Sequence, residues 1–242
     1  RDGTGTLTQN GGTITVGTLG FQTIVNQVNI KTGTGSGTYN LEGGTVYAHG
    51  IYNLGKFNYR GGDVQANFYN AAGAETLMQA SIPANKLIIL NSSTIGGVIW
   101  IVDSTAEFVG PMCNLDGATM HVTNSMVTFG HTLINAGLLI LGNGTGIGTA
   151  TVNVVDLDGP SARLNFNGGR LIAQLTGSLV TGLGQIDLVG AGYISTDYIS
   201  TISSSITGVG NLTKDGTGEL ILSGTNDYTG NTIITEGTLT VM

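Results

Sequence analysis

The sequence predicts an all-β protein, and more narrowly a right-handed parallel β-helix, or β-solenoid, of roughly ten to twelve coils. Three observations predict this fold. Glycine supplies 41 of the 242 residues, charged residues make up only 10%, and apolar residues alternate around a Gly-Gly pair that recurs along the chain. Glycine suits tight corners, and crossovers between parallel strands follow a right-handed path. We therefore expect many short strands separated by many sharp bends.

The recurring unit has an alternating apolar segment on each side of Gly-Gly. Alternation with a period of two indicates a strand with one buried face, and the glycine pair indicates a corner. A two-residue hairpin fits the same local signal, but Gly43 and Gly61 lie 18 residues apart, and Gly216 and Gly237 lie 21 apart. A repeat of about 20 residues is typical of a solenoid coil. The four copies occupy residues 7–16, 39–48, 57–66 and 164–173.

The alternation assigns each residue type to one face of the coil. We expect Leu, Ile, Val, Phe and Tyr to point inward and to stack on the next coil, about 4.8 Å away. Outward positions carry mostly Thr, Asn, Gln and Ser, because like charges stacked coil upon coil would repel one another. Two apolar runs, 87–90 and 98–102, depart from alternation and predict strands that are buried on both faces.

The chain divides into an irregular solenoid over residues 1–207 and a more regular repeat over 208–242 that continues it. Residues 67–84 break the pattern and are the candidate insertion, with a short helix or a protruding loop over 71–78. Insertions on a solenoid often carry its binding face.

The C-terminal repeat is the most specific signal. It runs Leu-x-Lys-x-Gly-x-Gly-x-Leu-x-Leu-Ser-Gly from Leu212, then Asn-x-Tyr-x-Gly-x-Thr from Asn226, then Gly-x-Leu-x-Val from Gly237. This stretch closely resembles the autotransporter-associated β-strand repeat, also called the passenger-associated transport repeat. The resemblance implies a parallel β-helix in a bacterial surface or secreted protein, where such repeats lie in passenger domains and are linked to folding during export.

Charge and hydropathy argue against nucleic acid as a partner and against insertion into a membrane. The net charge is −7 and the eight Lys and Arg residues are scattered, so the basic patch of a nucleic-acid-binding protein is missing. The longest apolar stretch, 96–102, is far shorter than the ~20 residues of a membrane-spanning helix, and we expect no membrane insertion of this segment. Because the sequence begins with Arg1 and lacks a signal peptide, we expect a processed product or an excised segment.

Candidate metal and thiol sites are weak in this sequence. Residues 156–159 resemble the start of a calcium loop but lack its later acidic ligands, so a turn joining 152–155 to 163–166 is favoured. His121 lies on the alternate face from its apolar neighbours and should point outward. A metal site shared with His131 is disfavoured, because ten residues are about half a coil. Cys113, the single cysteine, is expected to be a small buried hydrophobe.

The enzymatic alternative is a polysaccharide-degrading enzyme on a β-helix scaffold. Glycoside hydrolysis needs two carboxylates on one site, and the nearest pairs here are Asp103/Glu107, Asp215/Glu219 and Asp156/Asp158. On one strand, positions four apart lie about 13 Å from each other. A surface groove gathering three or more Asp, Glu, Lys or Arg side chains would favour this alternative.

A repeated Thr-x-Thr pattern raises one further alternative, an ice-binding face. Such a face needs a flat Thr ladder in most coils, which residues 85–115 do not supply. Ordinary β-propensity on the outward face accounts for the pattern.

The sequence therefore predicts no catalytic, metal or cofactor-binding residues, no cofactor, and no enzyme activity. We expect an extracellular structural or adhesive solenoid, such as a passenger segment, stalk or filament subunit, secreted or at the bacterial cell surface. Open coil ends favour end-to-end self-association. A surface glycan or matrix molecule is the other expected partner.

Overall fold

The computed structural model describes residues 6–9, 13–16, 37–61, 63–79, 86–89 and 93–242. These residues form short parallel strands without a helix, wound into a β-solenoid of about nine coils. None of them forms a helix of the length and apolarity needed to span a bilayer. The predicted fold class is confirmed, and the described residues account for about nine of the predicted ten to twelve coils. The right-handed path stays a prediction from the crossover rule.

The strands, numbered in chain order, are β1 (Thr6–Gln9), β2 (Thr13–Val16), β3 (Thr38–Leu41), β4 (Thr45–Asn53), β5 (Lys56–Tyr59), β6 (Asp63–Asn70), β7 (Glu75–Met78), β8 (Lys86–Ile89), β9 (Ser93–Ile95), β10 (Val98–Val102), β11 (Thr105–Phe108), β12 (Met112–Asn114), β13 (Thr119–Thr123), β14 (Ser125–Phe129), β15 (Leu133–Asn135), β16 (Leu138–Leu141), β17 (Gly148–Val152), β18 (Val155–Leu157), β19 (Arg163–Phe166), β20 (Gly169–Ala173), β21 (Gly177–Gly182), β22 (Gln185–Leu188), β23 (Gly192–Ser195), β24 (Ile199–Ile202), β25 (Ser205–Gly208), β26 (Leu212–Asp215), β27 (Glu219–Leu222), β28 (Thr232–Ile234) and β29 (Thr238–Val241).

The strands assemble into three parallel sheets, which are the three sides of the solenoid. Sheet A has the order β1-β3-β5-β7-β10-β13-β16-β19-β22-β25. Sheet B has the order β2-β4-β6-β9-β12-β15-β18-β21-β24-β27-β29. Sheet C has the order β8-β11-β14-β17-β20-β23-β26-β28. From β7 to β27, each coil adds one strand to sheet A, then one to sheet C, then one to sheet B.

Coil length varies along the chain. Stacked partners are 18 residues apart at Asn40 and Asn58, 21 apart at Asn114 and Asn135, and 25 apart for the pair Asp156 and Thr181. The longer coils have additional residues in their corners, as in the loops 142–147 and 158–162.

The Gly-Gly pairs form corners as predicted, and the hairpin interpretation is wrong because the strands on either side lie in different parallel sheets. Gly44 turns the chain from β3 to β4 with a φ of 88°, and Gly168 turns it from β19 to β20 with a φ of 84°. A Cβ on Gly169 would lie 2.3 Å from the carbonyl oxygen of Leu141. The glycine pair of the copy at 7–16 lies outside the described residues.

The core is a continuous column of stacked apolar side chains. Phe108 and Phe129 stack with ring centroids 5.4 Å apart and planes 10° apart. In β10, Ile99 and Ile101 are buried while Trp100 points outward. The expectation that 98–102 is buried on both faces is therefore wrong, because the residues that the structure describes leave the outer face of this strand partly exposed.

Buried asparagines line the corner that follows sheet B. The Asn53 side chain donates to Asn70 at 2.8 Å, and Asn114 donates to Asn135 at 2.7 Å. The Asn135 amide also donates to the carbonyl of Arg163 at 2.9 Å. Buried polar groups need partners, and these amides supply donors to the corner backbone of the next coil.

The candidate insertion near 67–84 behaves as ordinary coil where the structure describes it. Residues 67–70 complete β6, 71–74 form a turn and 75–78 form β7. Of the two alternatives for 71–78, a short helix or a protruding loop, the helix is wrong. Residues 80–85 lie outside the described ranges. The division into 1–207 and 208–242 stays a prediction.

Candidate functional site

The carboxylate pairs singled out in the sequence are separated by the coil geometry. Asp103 lies at the corner after β10, whereas Glu107 lies within β11. Asp215 belongs to sheet C and pairs with Arg170. Glu219 belongs to sheet B and accepts a hydrogen bond from Thr240 at 2.6 Å. The two residues of each of these pairs lie on different sides of the coil, so the spacing of about 13 Å along one strand does not apply to them.

The expected turn at 156–159 is partly a strand. Asp156 points outward from β18, and its Oδ1 accepts a 3.4 Å hydrogen bond from the Thr181 hydroxyl. Asp158 follows the strand and is exposed. No group of three or more His, Cys, Asp or Glu side chains able to hold a metal ion occurs in the part of the chain that the structure describes.

Cys113 and His121 both occupy outward positions. Cys113 is half-buried on sheet B between Thr94 and Ile134, so it is only partly covered where the sequence predicts a small buried hydrophobe. Burial, and then the nearby Asp158 carboxylate, raise the pKa of this thiol. His121 points outward as predicted and stacks on Trp100, with ring centroids 5.6 Å apart. Burial lowers the pKa of the His121 imidazole.

A groove of about 450 Å³ lies at the corner between sheets A and C. Asp103 and Asn124 occupy this corner in consecutive coils, with φ values of 50° and 47°. Asp and Asn tolerate that left-handed conformation better than most residues. The groove contains a single charged side chain, Asp103, rather than the three that would favour an enzyme. The lining residues are Asp103, Ser104, Thr105, Asn124, Ser125, Met126, Ile147 and Thr149.

The C-terminal repeat contains a fully buried lysine. The Lys214 side chain has no solvent exposure, and its ammonium donates to the carbonyls of Asp215 at 2.9 Å, Gly216 at 2.6 Å and Glu236 at 3.1 Å. Burial lowers the pKa of this ammonium, and the nearby Asp215, Glu236 and Asp197 carboxylates oppose that shift. Because Glu236 lies 22 residues further on, Lys214 joins the corners of two successive coils.

The glycines of the repeat make room for this arrangement. Gly216 and Gly237 turn the chain from sheet C to sheet B in successive coils, with φ values of 80° and 73°. A Cβ on Gly216 would lie 2.5 Å from the carbonyl oxygen of Thr196. A Cβ on Gly237 would lie 2.7 Å from the Lys214 ammonium. The repeat's Lys-x-Gly spacing is therefore a packing requirement.

A second polar cluster lies on the outer face of sheet C. The Arg170 guanidinium lies over the Tyr193 ring, 5.3 Å from its centroid, and pairs with the Asp215 carboxylate. The three residues come from neighbouring strands β20, β23 and β26, so the coil stacking brings them together from positions far apart in sequence. A sequence search for local motifs could not identify them.

Comparison with known proteins agrees with the resemblance seen in the sequence. Residues 212–241 match the model of the passenger-associated transport repeat. The chain is 30% identical over 250 residues to "Adhesin BmaC autotransporter" of Brucella suis biovar 1 (strain 1330). That match covers 95% of this chain and 7% of the relative's length. No solved structure matches.

Proposed function

We propose that this chain, which contains a passenger-associated transport repeat, is a passenger-type segment of a bacterial surface protein and acts outside the cell as a rigid, adhesive stalk. The observation that carries the proposal is that the C-terminal repeat continues the sheets of the preceding coils. Residues 212–241 add β26 and β28 to sheet C, and β27 and β29 to sheet B, in register with the coils before them. The repeat is thus part of one column rather than a separate appendage.

The three-sheet column supports the stalk role. From β7 to β27 each coil is hydrogen-bonded to the next on all three sides, so bending requires many parallel ladders to be distorted together. With coils about 4.8 Å apart, nine coils form a rod of about 40–45 Å. A longer protein built from such segments would hold a distal binding region away from the cell surface.

The outer face of sheet C supports the adhesive role. Its first outward row consists of Thr105, Met126, Thr149, Arg170 and Tyr193 on successive strands. Hydroxyls, an aromatic ring and a guanidinium together can hydrogen-bond and stack against sugar rings or bind acidic groups. A surface glycan or a matrix molecule is therefore the partner class that this face fits.

End-to-end contact with another solenoid is also part of this proposal, because the open edge of a parallel sheet can pair with another chain. The polysaccharide-degrading alternative has no support from the described residues.

Bead adhesion tests this proposal. Beads coated with the folded chain should bind epithelial cells and immobilised matrix proteins, and soluble glycans should compete. The matched control is Leu141→Asp, which puts a charge into the core and should unfold the coil while leaving the surface composition nearly unchanged. Surface labelling of intact producing cells with an antibody to the segment tests its location. Equal binding by the folded chain and the control, or no labelling of intact cells, would contradict the proposal.

A further inference from the structure

The outer face of sheet A carries apolar side chains on its middle strands and charged side chains on the strands at either end of them. In its first outward row, Glu75, Val98, Thr119, Leu138 and Arg163 follow one another on successive strands. The row therefore begins with an acidic side chain and ends with a basic one, and it has an aliphatic side chain on each side of the central threonine. The pattern is symmetric in size about Thr119 and opposite in charge at its two ends.

The second outward row is more apolar. It consists of Leu77, Trp100, His121, Ile140 and Asn165 on the same strands. Trp100 is the single tryptophan of the chain, and its ring lies nearly parallel to that of His121, at 12°. We call these ten residues the sheet A face. All ten are partly exposed, and an apolar patch with a polar rim is typical of an interaction site.

Ion pairs mark both ends of the sheet A face. Lys56 contacts Glu75 at 2.8 Å beyond one end, and Arg163 contacts Asp187 at 3.7 Å at the other. Glu75 lies two strands before β13 and Arg163 lies two strands after it. The charges are therefore placed at equal distances from Thr119.

This spacing is self-complementary under one rotation. A two-fold axis along β13, in the plane of the contact, would lay the sheet A face of a second copy over this one with the solenoid axes antiparallel. The rotation keeps each row opposite itself and exchanges strands equally far from β13. Glu75 then faces Arg163 of the second copy, and Arg163 faces its Glu75. A closed symmetric dimer requires this kind of self-complementary patch.

The remaining positions are compatible with the same rotation. Trp100 faces Ile140 of the second copy, so its ring is covered by an aliphatic side chain. Thr119 lies on the axis and faces its own counterpart. One strand further out, Lys56 faces Gln185. In these described rows from β5 to β22, no like charges lie opposite each other.

We propose that the sheet A face is a self-association surface through which two copies of this chain dock side by side about a two-fold axis along β13. The proposal goes beyond the stalk role and uses a different surface from the coil ends. Five strands of four residues cover about 300 Å² per copy, against the ~800 Å² per partner of a stable complex. A single contact is therefore weak and acts through many copies displayed together, as avidity allows.

Disulfide trapping at the axis tests the geometry. In a Cys113→Ser background, Thr119→Cys places two thiols opposite each other only if the axis runs along β13. The matched control is Thr128→Cys, an outward threonine of the same coil on sheet C. We expect dimer formation under mild oxidation to be at least about tenfold faster for Thr119→Cys, because docking raises the local thiol concentration. Equal rates would overturn the proposal.

Charge reversal then tests the pairing. Combined with Thr119→Cys, either Glu75→Arg or Arg163→Glu alone puts like charges opposite each other at both ends and should slow trapping by about tenfold. A mixture of the two single variants places opposite charges at every contact, so the mixed dimer, distinguished by an affinity tag, should form at the parent rate. Circular dichroism checks that each variant is folded. Failure of the mixture to recover the parent rate would overturn the proposal.

Discussion

Lys214→Met is the most direct test of how the C-terminal repeat is held to the coil before it. The substitution keeps an unbranched side chain of similar length and removes the ammonium that donates to the carbonyls of Asp215, Gly216 and Glu236. The three carbonyls belong to two successive corners, so the change acts on the contact between coils. We expect the last coil to separate more easily from the solenoid.

The size of the free-energy loss depends on which of the three carbonyls keep a hydrogen-bond donor after the substitution. The carbonyl of Asp215 also accepts from the amide of Thr196 at 3.1 Å and keeps that donor. The carbonyls of Gly216 and Glu236 lose the ammonium, and an unsatisfied buried acceptor costs about 1–3 kcal/mol. Removing the buried charge offsets part of this loss, because its desolvation was unfavourable. We therefore expect a loss of about 3 kcal/mol in the free energy of opening the last coil.

Native-state hydrogen exchange measures this loss where it occurs. The amides of Thr235 and Thr238 donate to the carbonyls of Lys214 and Gly218 in the previous coil, at 2.9 and 3.1 Å. A loss of about 3 kcal/mol corresponds to exchange on the order of a hundredfold faster at both amides. Lys56→Met, which removes a lysine with a 53% exposed side chain, is the control and should change little. Unchanged or slower exchange in Lys214→Met would refute the reasoning.

Lys214 also gives the protein an alkaline pH dependence. Burial lowers the pKa of Lys214 below its ordinary value of 10.5. Between the lowered pKa and 10.5, the unfolded chain binds more protons than the folded one, so this group makes stability rise with pH in that window. Below the lowered pKa both states are protonated and the contribution is constant. Lys214→Met should lack the rise, which urea unfolding at several alkaline pH values would show.

Three further predictions concern the coil itself. Gly97→Ala would place a Cβ 2.2 Å from the carbonyl oxygen of Ala74, so the free energy of unfolding in urea should fall by about 1–3 kcal/mol; an unchanged midpoint would show that the backbone yields there. Asn135→Ala leaves the Asn114 amide without its 2.7 Å partner and should lower the free energy of unfolding by about 1–3 kcal/mol. A stability equal to that of the wild type would contradict a stabilising role for these buried asparagines. Burial lowers the pKa of His121 below 6.5, so its contribution is complete above pH 6.5 and is lost as the pH falls toward the lowered pKa. His121→Asn should flatten the dependence of the melting temperature on pH below pH 6.5. An unaltered dependence would contradict the assignment of this effect to His121.

The fold could be predicted because its signals are local. The alternation in 39–48 and 164–173 sets which side chains point inward, and the positive φ of Gly44 and Gly168 is a conformation that glycine adopts freely. Coil length could not be predicted as well, because corner loops such as 142–147 lengthen a coil without changing its strands. The helix expected over 71–78 was wrong because alanine's local preference for helix yields to the hydrogen-bonding edges of β5 and β10 on either side.

The chemistry of the outer surface was less accessible from sequence. Lys214 could be placed on the inward face by its spacing from Leu212, but its third acceptor, Glu236, lies 22 residues away. Arg170, Tyr193 and Asp215 likewise come together only through the register of three strands. The number of residues between two stacked neighbours equals the length of the coil between them. Because the coils differ in length, these neighbours cannot be identified by a fixed spacing in the sequence.

The error at 98–102 bears directly on self-association. A strand that is apolar on both faces is typical of a sheet covered on both sides, yet in a single chain only Ile99 and Ile101 are covered. Docking of a second copy about β13 would cover Trp100 as well, so the sequence pattern would then match its environment. A two-fold contact of this kind closes after two copies, so each copy would bind one partner through the sheet A face.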